Sequence, residues 1–305
     1  MGCLYYGMVG YLFAGQGSQY IGMGKDLFEA FPESKAIFEK ADRILGFSIS
    51  DLCFNGPAQE LTKTHNCQPA IVTMTIACWQ AYLTKHPQVD GYMAGLSLGE
   101  YSALVAAGAL SFEDAICLVR HRGQLMDEEA AHHPGKMLSI IGLDLVKVKE
   151  ICQAVKAEVA NINCPGQTVI SGAPEVIEKA QILAKEKGAK LAVILEVSGA
   201  FHSSFMQGAC QKLAKELEKI NINKPKFPVI SNVTGKPVLD PQEIKQNLIK
   251  QVSGSVLWED SMRLVLGQGV NNFVEFGPGK VLKGLMRRID SNAQVVSIEK
   301  SADII

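Results

Sequence analysis

The sequence lacks the features that would assign it to a membrane or to nucleic acid. Its 305 residues contain no apolar run of about 18 residues or more, so no transmembrane helix is predicted. The formal net charge is -1, which gives no overall attraction for nucleic acid or for an anionic membrane. We therefore expect neither of them as a partner.

A metal site is not predicted either. The eight cysteines form no C-x-x-C pair, and no histidines stand beside them at the spacing of a zinc site. Several lie inside apolar runs, so their expected state is a buried free thiol in a reducing cytoplasm. The eight are Cys3, Cys53, Cys67, Cys78, Cys117, Cys152, Cys164 and Cys210.

The fingerprints of phosphate-binding loops are also missing. The glycine-rich run Gly15-Gln16-Gly17-Ser18-Gln19 has Tyr20 where a dinucleotide fingerprint needs its third glycine, and no P-loop motif occurs in the chain. The run is either a tight turn after a strand, which the spacing alone favours, or a loop that aims a backbone N–H at the sheet edge.

Alternating strand and helix patterns fill most of the chain and predict an α/β fold, a parallel sheet with helices on both faces. Between residues 136 and 197 the order changes to β-α-β-β-α-β, which is typical of a ferredoxin-like unit. The predicted strands are 8–13, 89–94, 136–142, 158–162, 167–172, 190–197, 228–231 and 272–276. The predicted helices are 32–45, 69–83, 98–107, 111 to beyond 122, 145–155, 174–187, 203–219, 242–251 and a last one through 288.

The run Gly95-Leu96-Ser97-Leu98-Gly99 matches the G-x-S-x-G motif in its required context, between a strand and a helix. Glycine at both ends relieves the crowding of a very tight turn, which lifts the serine hydroxyl above the sheet edge. There the helix N-terminus favours developing negative charge. The alternative is a serine that caps a helix between two turn glycines.

A nucleophilic serine needs a base, and His202 is the candidate among six histidines. It follows a predicted strand and precedes a predicted helix, so it lies at a sheet edge as Ser97 does. The alternative is a surface histidine in a loop. No acidic residue flanks it, so the pair is interpreted as a dyad in which a backbone carbonyl holds the imidazole.

Arg122 lies on the helix that follows the serine helix, beside Gly123. Most arginines on helices are solvated, and that alternative remains open from the pattern alone. A glycine at this position permits close packing of the helix against a neighbour.

Six short motifs occur in a fixed order, and together they resemble the malonyl-CoA:acyl carrier protein transacylases of bacterial type II fatty acid synthesis and the related polyketide synthase acyltransferases. The similarity extends from about residue 8 to the last predicted strand. The motifs are Phe13-Ala14-Gly15-Gln16-Gly17-Ser18-Gln19, Gln68-Pro69-Ala70, Gly95-Leu96-Ser97-Leu98-Gly99-Glu100-Tyr101, Arg122-Gly123, Gly199-Ala200-Phe201-His202-Ser203 and Glu275-Phe276-Gly277-Pro278-Gly279. The runs Asn161–Gln167 and Ser231–Gly235 add to the similarity.

The resemblance implies a role for each matching residue. Ser97 would be the acylated nucleophile and His202 its general base and acid. The backbone N–H groups of Gln16 and Leu98 would form the oxyanion hole, and Arg122 would pair with the malonyl carboxylate. The remaining implied positions are Gln68, near that carboxylate, and Leu257, whose carbonyl would orient His202.

The resemblance also implies the fold, the partners and the location. The expected fold is an α/β-hydrolase-like core of residues 1–134 and 199–305 with a ferredoxin-like subdomain at 135–198, and the site in the cleft between them. The partners would be malonyl-CoA and acyl carrier protein. We expect a monomer in the cytoplasm with no metal or redox cofactor.

The chain departs from the family pattern at three positions, and three other functions remain open. Ala14, Leu96 and Ser255 stand where the family often has proline, histidine and proline, and Ser255 is expected to loosen the segment that holds His202. The alternatives are an acyltransferase serving a polyketide synthase, a serine esterase and a non-catalytic module that binds carrier protein.

Overall fold

Two β-sheets organise residues 7–304, the part of the chain that the computed structural model describes. The first sheet has six strands in the order β11-β10-β1-β2-β7-β8, and all neighbours are parallel except the pair β7-β8. Its strands are β1 (Val9–Phe13), β2 (Gly91–Gly95), β7 (Val229–Ile230), β8 (Pro237–Val238), β10 (Asn272–Phe276) and β11 (Gln294–Ile298).

The second sheet has five strands in the order β6-β3-β5-β4-β9 and is antiparallel except for the pair β4-β9. Its strands are β3 (Lys136–Ile141), β4 (Glu158–Cys164), β5 (Gln167–Gly172), β6 (Leu191–Ile194) and β9 (Val256–Leu257). Four of them come from one continuous stretch of chain, whereas β9 comes from a segment about sixty residues after the end of that stretch.

Thirteen α-helices occur among the described residues, and none is both long and apolar enough to cross a bilayer. They are α1 (Lys25–Ala30), α2 (Pro32–Leu45), α3 (Ile49–Asn55), α4 (Ala58–Thr62), α5 (Thr64–Leu83), α6 (Gly99–Ala106), α7 (Phe112–His132), α8 (Leu145–Val155), α9 (Pro174–Glu186), α10 (Gln207–Glu218), α11 (Pro241–Gln251), α12 (Trp258–Gly267) and α13 (Val281–Ile289).

Helices cover both faces of the first sheet, as the alternating pattern predicts. On one face the rings of Tyr11 and Phe276 pack against Trp79 of α5, with centroids 5.3 and 5.1 Å from the indole. On the other face Leu12 and Phe273 lie in a buried cluster with residues of α12 and α13. Successive strand residues point to opposite faces, so one strand supplies both layers of core.

Helix α5 begins at Thr64, five residues before the predicted start, although Pro69 interrupts its hydrogen bonding. Proline has no N–H, so the His65 carbonyl four residues earlier loses its helical donor. The Arg120 guanidinium donates to that carbonyl at 2.7 Å. A side chain of α7 thus replaces the missing donor, which a prediction from proline content alone could not anticipate.

Most predicted elements are present with shifted ends. The predicted strand at 190–197 shortens to Leu191–Ile194, and the helix predicted from 203 begins at Gln207 after a single 3₁₀ turn. Seven short or late elements are not predicted: α1, α3, α4, α12, β8, β9 and β11. Of the cysteines, Cys117 is exposed, the other six described thiols are buried, and Cys3 lies outside the described residues.

Candidate active site

Ser97 lies in a tight turn between β2 and α6, and glycines on both sides make that turn possible. A Cβ on Gly95 would overlap the backbone of Gly99, and a Cβ on Gly99 would overlap the Phe13 carbonyl. Ser97 itself has a φ of 52°, a left-handed conformation that costs energy for a residue with a side chain. The predicted elbow is therefore confirmed in its geometry.

Asn232, just after β7, fixes the backbone of this turn. Its Oδ1 accepts from the Ser97 N–H at 2.6 Å, and its Nδ2 donates to the Gly95 carbonyl at 2.8 Å. The Ser97 N–H is thus occupied. An amide available for a substrate oxygen must come from a neighbouring residue.

His202 lies in the loop that follows β6 of the second sheet and reaches the serine directly. Its Nε2 lies 2.8 Å from Ser97 Oγ, and its φ of 57° is also left-handed. The loop after β6 that carries it is held from both sides: Ser171 Oγ of β5 donates to the Phe201 carbonyl at 2.7 Å, and the His202 N–H donates to the Val252 carbonyl at 3.2 Å. The structure brings together the two residues that the sequence singled out.

The prediction that Leu257 orients His202 is wrong. His202 Nδ1 lies 2.7 Å from the carbonyl of Gln251, the last residue of α11, whereas the Leu257 carbonyl accepts from Ser261 Oγ at 2.6 Å. The last carbonyls of a helix have no partner within the helix, so Gln251 has a free acceptor where the imidazole needs one. No carboxylate contacts the His202 ring in the described part of the chain.

Ser255 does not loosen its segment. Its Oγ donates to the Val159 carbonyl at 2.5 Å, next to the pairing of β9 with β4. The hydroxyl therefore ties this segment to the second sheet, a contact that proline could not make.

The His202 imidazole is neutral at pH 7. Burial, with a smaller effect from the Arg122 charge, lowers its pKa to about 4, and acceptance by the carbonyls of Gln251 and Gly254 opposes that shift. With Nδ1–H donating to Gln251, Nε2 is left as an acceptor for the Ser97 hydroxyl proton. This is the protonation state that a general base requires.

Arg122 reaches the same oxygen from helix α7. Its Nη2 lies 3.2 Å from Ser97 Oγ and 3.1 Å from Gln251 Oε1, and its guanidinium stands 5.4 Å from the centre of the Tyr101 ring. The side chain is 1% exposed, and its Nε has no hydrogen-bond partner among residues 7–304. A buried guanidinium with an unused donor favours an anionic partner.

The glycine beside Arg122 has the packing role that the sequence suggests. A Cβ on Gly123 would lie 2.6 Å from the Cα of His65, so only glycine lets α7 approach α5 this closely. The approach sets the depth at which Arg122 enters the site.

Gln16 and Leu98 follow the paired ends of adjacent parallel strands. Phe13, the last residue of β1, pairs with Gly95, the last residue of β2. Gln16 and Leu98 each come three positions after the end of their strand. Neither backbone N–H donates a hydrogen bond within the described residues. Both amides are therefore free to donate, as the N–H groups of an oxyanion hole must be.

Gln68 is fully buried on α5, but the structure does not join it to the other site residues by a hydrogen bond within residues 7–304. Its Nε2 points at Met126 Sδ, 3.5 Å away, and its Oε1 has no partner in that range. Met126 stands about one turn beyond Arg122 on α7, so Gln68 contacts the helix that carries Arg122, and its implied place near the substrate carboxylate stays a prediction.

Three residues of the site were missed from the sequence. Asn232 and Glu100 lie inside two of the motifs that carry the resemblance, and only their contacts reveal them as supports of the turn. Gln251 lies in no motif; its backbone carbonyl and its side-chain contacts with Arg122, Glu100 and the Ser97 carbonyl are visible only in the structure. No group of three or more histidine, cysteine, aspartate or glutamate residues in the described chain is arranged to hold a metal ion.

Comparison with known proteins gives matches over nearly the whole chain. A model of the acyl transferase domain family matches residues 10–299. The malonyl CoA-acyl carrier protein transacylase of Bacillus subtilis is 45% identical over 295 residues, which cover 95% of this chain and 93% of that protein. The protein of the same name from Haemophilus influenzae is 42% identical, with 95% of each chain covered.

Solved structures agree with the sequence matches. A malonyl-transacylase in complex with its type II polyketide synthase acyl-carrier protein has a TM-score of 0.95 and 39% identity, with 98% of each chain covered. The malonyl CoA-acyl carrier protein transacylase of Clostridium perfringens has a TM-score of 0.93 and 42% identity, covering 98% of this chain and 95% of that one. The chain therefore belongs to the acyl transferase family and, within it, to the malonyl CoA-acyl carrier protein transacylases.

Proposed function

We propose that this protein transfers a malonyl group from malonyl-CoA to the phosphopantetheine thiol of acyl carrier protein through a malonyl-serine intermediate. One observation carries the proposal: Ser97 Oγ lies between a neutral histidine and a buried arginine. The histidine supplies a base, and the arginine supplies a cation beside the nucleophile for a substrate that has a free carboxylate.

In the first half-reaction Ser97 Oγ attacks the thioester carbonyl of malonyl-CoA while His202 Nε2 accepts its proton. The carbonyl oxygen becomes an oxyanion against the N–H groups of Gln16 and Leu98. Collapse of this intermediate breaks the C–S bond, and the departing sulfur of coenzyme A takes the proton from His202. The product is malonyl-Ser97 and a neutral histidine.

In the second half-reaction the carrier thiol takes the place of coenzyme A. His202 accepts the thiol proton, the sulfur attacks the serine ester, and the same N–H groups hold the second oxyanion. Collapse returns the proton to Ser97 Oγ and releases the malonyl thioester. The Gln251 carbonyl stabilises the transient imidazolium in both halves without a carboxylate.

The contacts of Arg122 favour acyl transfer over a generic esterase. An esterase has no need of a buried cation next to its nucleophile. The two carrier systems are not separated by the site itself, because fatty acid and polyketide synthesis present the same thiol. Fatty acid synthesis is our proposal, and transfer rates to one carrier protein of each kind would distinguish them.

The division of the chain is part of the proposal. We infer an α/β-hydrolase-like core from residues 1–134 and 199–305, which is supported by the parallel sheet and the serine turn at the end of β2. We infer a ferredoxin-like subdomain from residues 135–198, supported by the order β3-α8-β4-β5-α9-β6.

The direct test is a covalent adduct. Incubation with malonyl-CoA should increase the intact mass by one malonyl group, and addition of phosphopantetheinylated carrier protein should discharge it onto the carrier thiol. Acetyl-CoA is the matched donor without a carboxylate and should label poorly. Discharge to water faster than to the carrier would support the esterase, and absence of any adduct would support a binding module.

Replacing His202 with alanine should reduce the transfer rate by about 10²–10⁴-fold, the usual contribution of a general base. Because a carbonyl rather than a carboxylate orients the ring, no single Asp or Glu substitution should reach the same loss. An alanine scan of the acidic residues measures this, with melting temperature to confirm folding. A folded Asp→Ala variant as inactive as His202→Ala would show that a carboxylate acts with Ser97 and His202 in a triad.

A further inference from the structure

The mechanism leaves one buried carboxylate of the site unused. Glu100 stands in the first turn of α6, three residues after Ser97, and is 2% exposed. Its Oε2 accepts two hydrogen bonds, from the Asn232 N–H at 3.0 Å and from Gln251 Nε2 at 2.7 Å. No Lys, Arg or His of the described chain forms a salt bridge with it, although burying an unpaired carboxylate is costly.

The Gln251 side chain connects this carboxylate to Arg122. Its Nε2 donates to Glu100 and to the Ser97 carbonyl at 3.0 Å, and its Oε1 accepts from Arg122. A flipped amide would place its NH₂ group against the guanidinium and its oxygen against the carboxylate. Glu100 therefore fixes the amide, and the amide oxygen fixes the guanidinium beside Ser97.

The charges around Glu100 are few and are contributed by separate elements. Arg122 of α7 is the cation, His202 ahead of α10 is neutral, and Tyr101 and Cys210 complete the titratable groups near this pair. Burial raises the pKa of Glu100 to about 7, while its acceptance from Asn232 and Gln251 and the Arg122 charge act against that rise. Near neutral pH the carboxyl can thus hold or release a proton.

Substrate binding changes this balance. A malonyl carboxylate on Arg122 adds a second anion to a site with one cation, so the charged form of Glu100 becomes less favourable. Protonation on Oε1 leaves Oε2 free to keep both accepted hydrogen bonds. The two hydrogen bonds to Oε2 can therefore be kept in either charge state.

We propose that Glu100 is a positioning residue with a proton-linked role: it orients Arg122 through the Gln251 amide in the free protein, and it takes up a proton from solvent when a substrate carboxylate binds Arg122. The inference rests on the proposed function, since it requires that malonyl thioesters bind beside Ser97.

Proton uptake can be measured without turnover. Ser97→Ala protein should bind malonyl-CoA without reacting, and calorimetry at pH 8 in two buffers of different ionisation enthalpy gives the protons taken up. We expect uptake of a large part of one proton for malonyl-CoA and close to none for acetyl-CoA. Equal uptake for the two thioesters would overturn the inference, and this comparison requires no change at Glu100.

The variant Glu100→Gln mimics the protonated side chain, because one amide oxygen can accept both hydrogen bonds. With saturating carrier, the malonyl-CoA KM of wild type should rise with pH above 7, up to about tenfold per pH unit, because ionised Glu100 opposes the second anion. In Glu100→Gln the KM should stay low and flat, and kcat should change little.

The matched control is Glu275→Gln, which removes another buried carboxylate. Glu275 accepts from the Leu282 N–H at the start of α13 and from Ser297 Oγ of β11, and no bond joins it to Arg122 in the described chain. This variant should keep the wild-type slope of KM against pH. A Glu100→Gln profile as steep as wild type would refute the role of Glu100, whereas a wild type that forms no malonyl adduct would refute the proposed function instead.

Discussion

Replacing Ser97 with alanine should abolish both the malonyl adduct and malonyl transfer. The hydroxyl is the group that His202 contacts through Nε2, and without it no covalent intermediate can form. In a serine protease whose nucleophile is activated by a histidine, loss of the serine reduces kcat by about 10⁶-fold, and a comparable loss is expected here. Intact mass after incubation with malonyl-CoA, and transfer to carrier protein, are the two measurements.

The chain offers a matched serine for this experiment. Ser102 lies on α6, five residues beyond Ser97, and is fully buried with no partner for its hydroxyl in residues 7–304. Ser102→Ala should keep both the adduct and the transfer rate. An adduct on a cysteine, or transfer that survives in Ser97→Ala, would show that the nucleophile is another residue.

Replacing Arg122 with alanine should change which thioester the enzyme accepts. A carboxylate that enters a buried site loses its hydration, and Arg122 is positioned to replace it with charged N–H donors. Removing one partner of a buried ion pair costs about 3–5 kcal/mol, which corresponds to a loss of roughly two to four decades in kcat/KM. Malonyl transfer should fall by that factor while acetyl transfer holds or rises, because the acetyl group has no carboxylate to lose its partner.

Arg122→Lys should recover little of the malonyl activity. An ammonium group is a compact charge, whereas the guanidinium here donates to Ser97 Oγ and Gln251 and keeps further N–H groups for a substrate. The measurement is kcat/KM for malonyl-CoA and acetyl-CoA in wild type and both variants.

Arg120 provides the control on the same helix. It is half-buried, donates to the His65 carbonyl beside Pro69, and contacts Asn66 Oδ1. Arg120→Ala should lower stability and leave the ratio of malonyl to acetyl transfer unchanged. If Arg122→Ala lowers malonyl and acetyl transfer by the same factor, Arg122 has a structural role, and the argument against an esterase no longer holds.

The sequence predicts the parts of this site that depend on local backbone geometry. A serine between two glycines, after a strand and before a helix, can hardly form anything but a tight turn, and the overlaps at Gly95 and Gly99 give the reason. His202 could be proposed from its position after a strand. Its distance to Ser97 depends on how two sheets face each other, which no local pattern encodes.

Other parts could not be predicted because they depend on contacts distant in sequence. The carbonyl that holds His202 belongs to Gln251, and any residue type could supply it, so the resemblance pointed instead to Leu257, six residues too late. Strand β9 has two residues and exists only because β4 lies alongside it. Helix α5 passes through Pro69, and Arg120 of another helix donates to the carbonyl that the proline leaves without a donor.

Strand β9 has a consequence for how this protein can be recombined with its relatives. The second sheet takes its fifth strand from Val256–Leu257, far outside residues 135–198, and the Ser255 hydroxyl joins the same junction to Val159. Exchange of residues 135–198 alone would therefore place a foreign β4 against the original β9. A graft that keeps the second sheet intact must therefore include two separate stretches of chain, residues 135–198 and the β9 segment. The β9 segment begins only a few residues after Gln251, whose carbonyl accepts from the His202 imidazole.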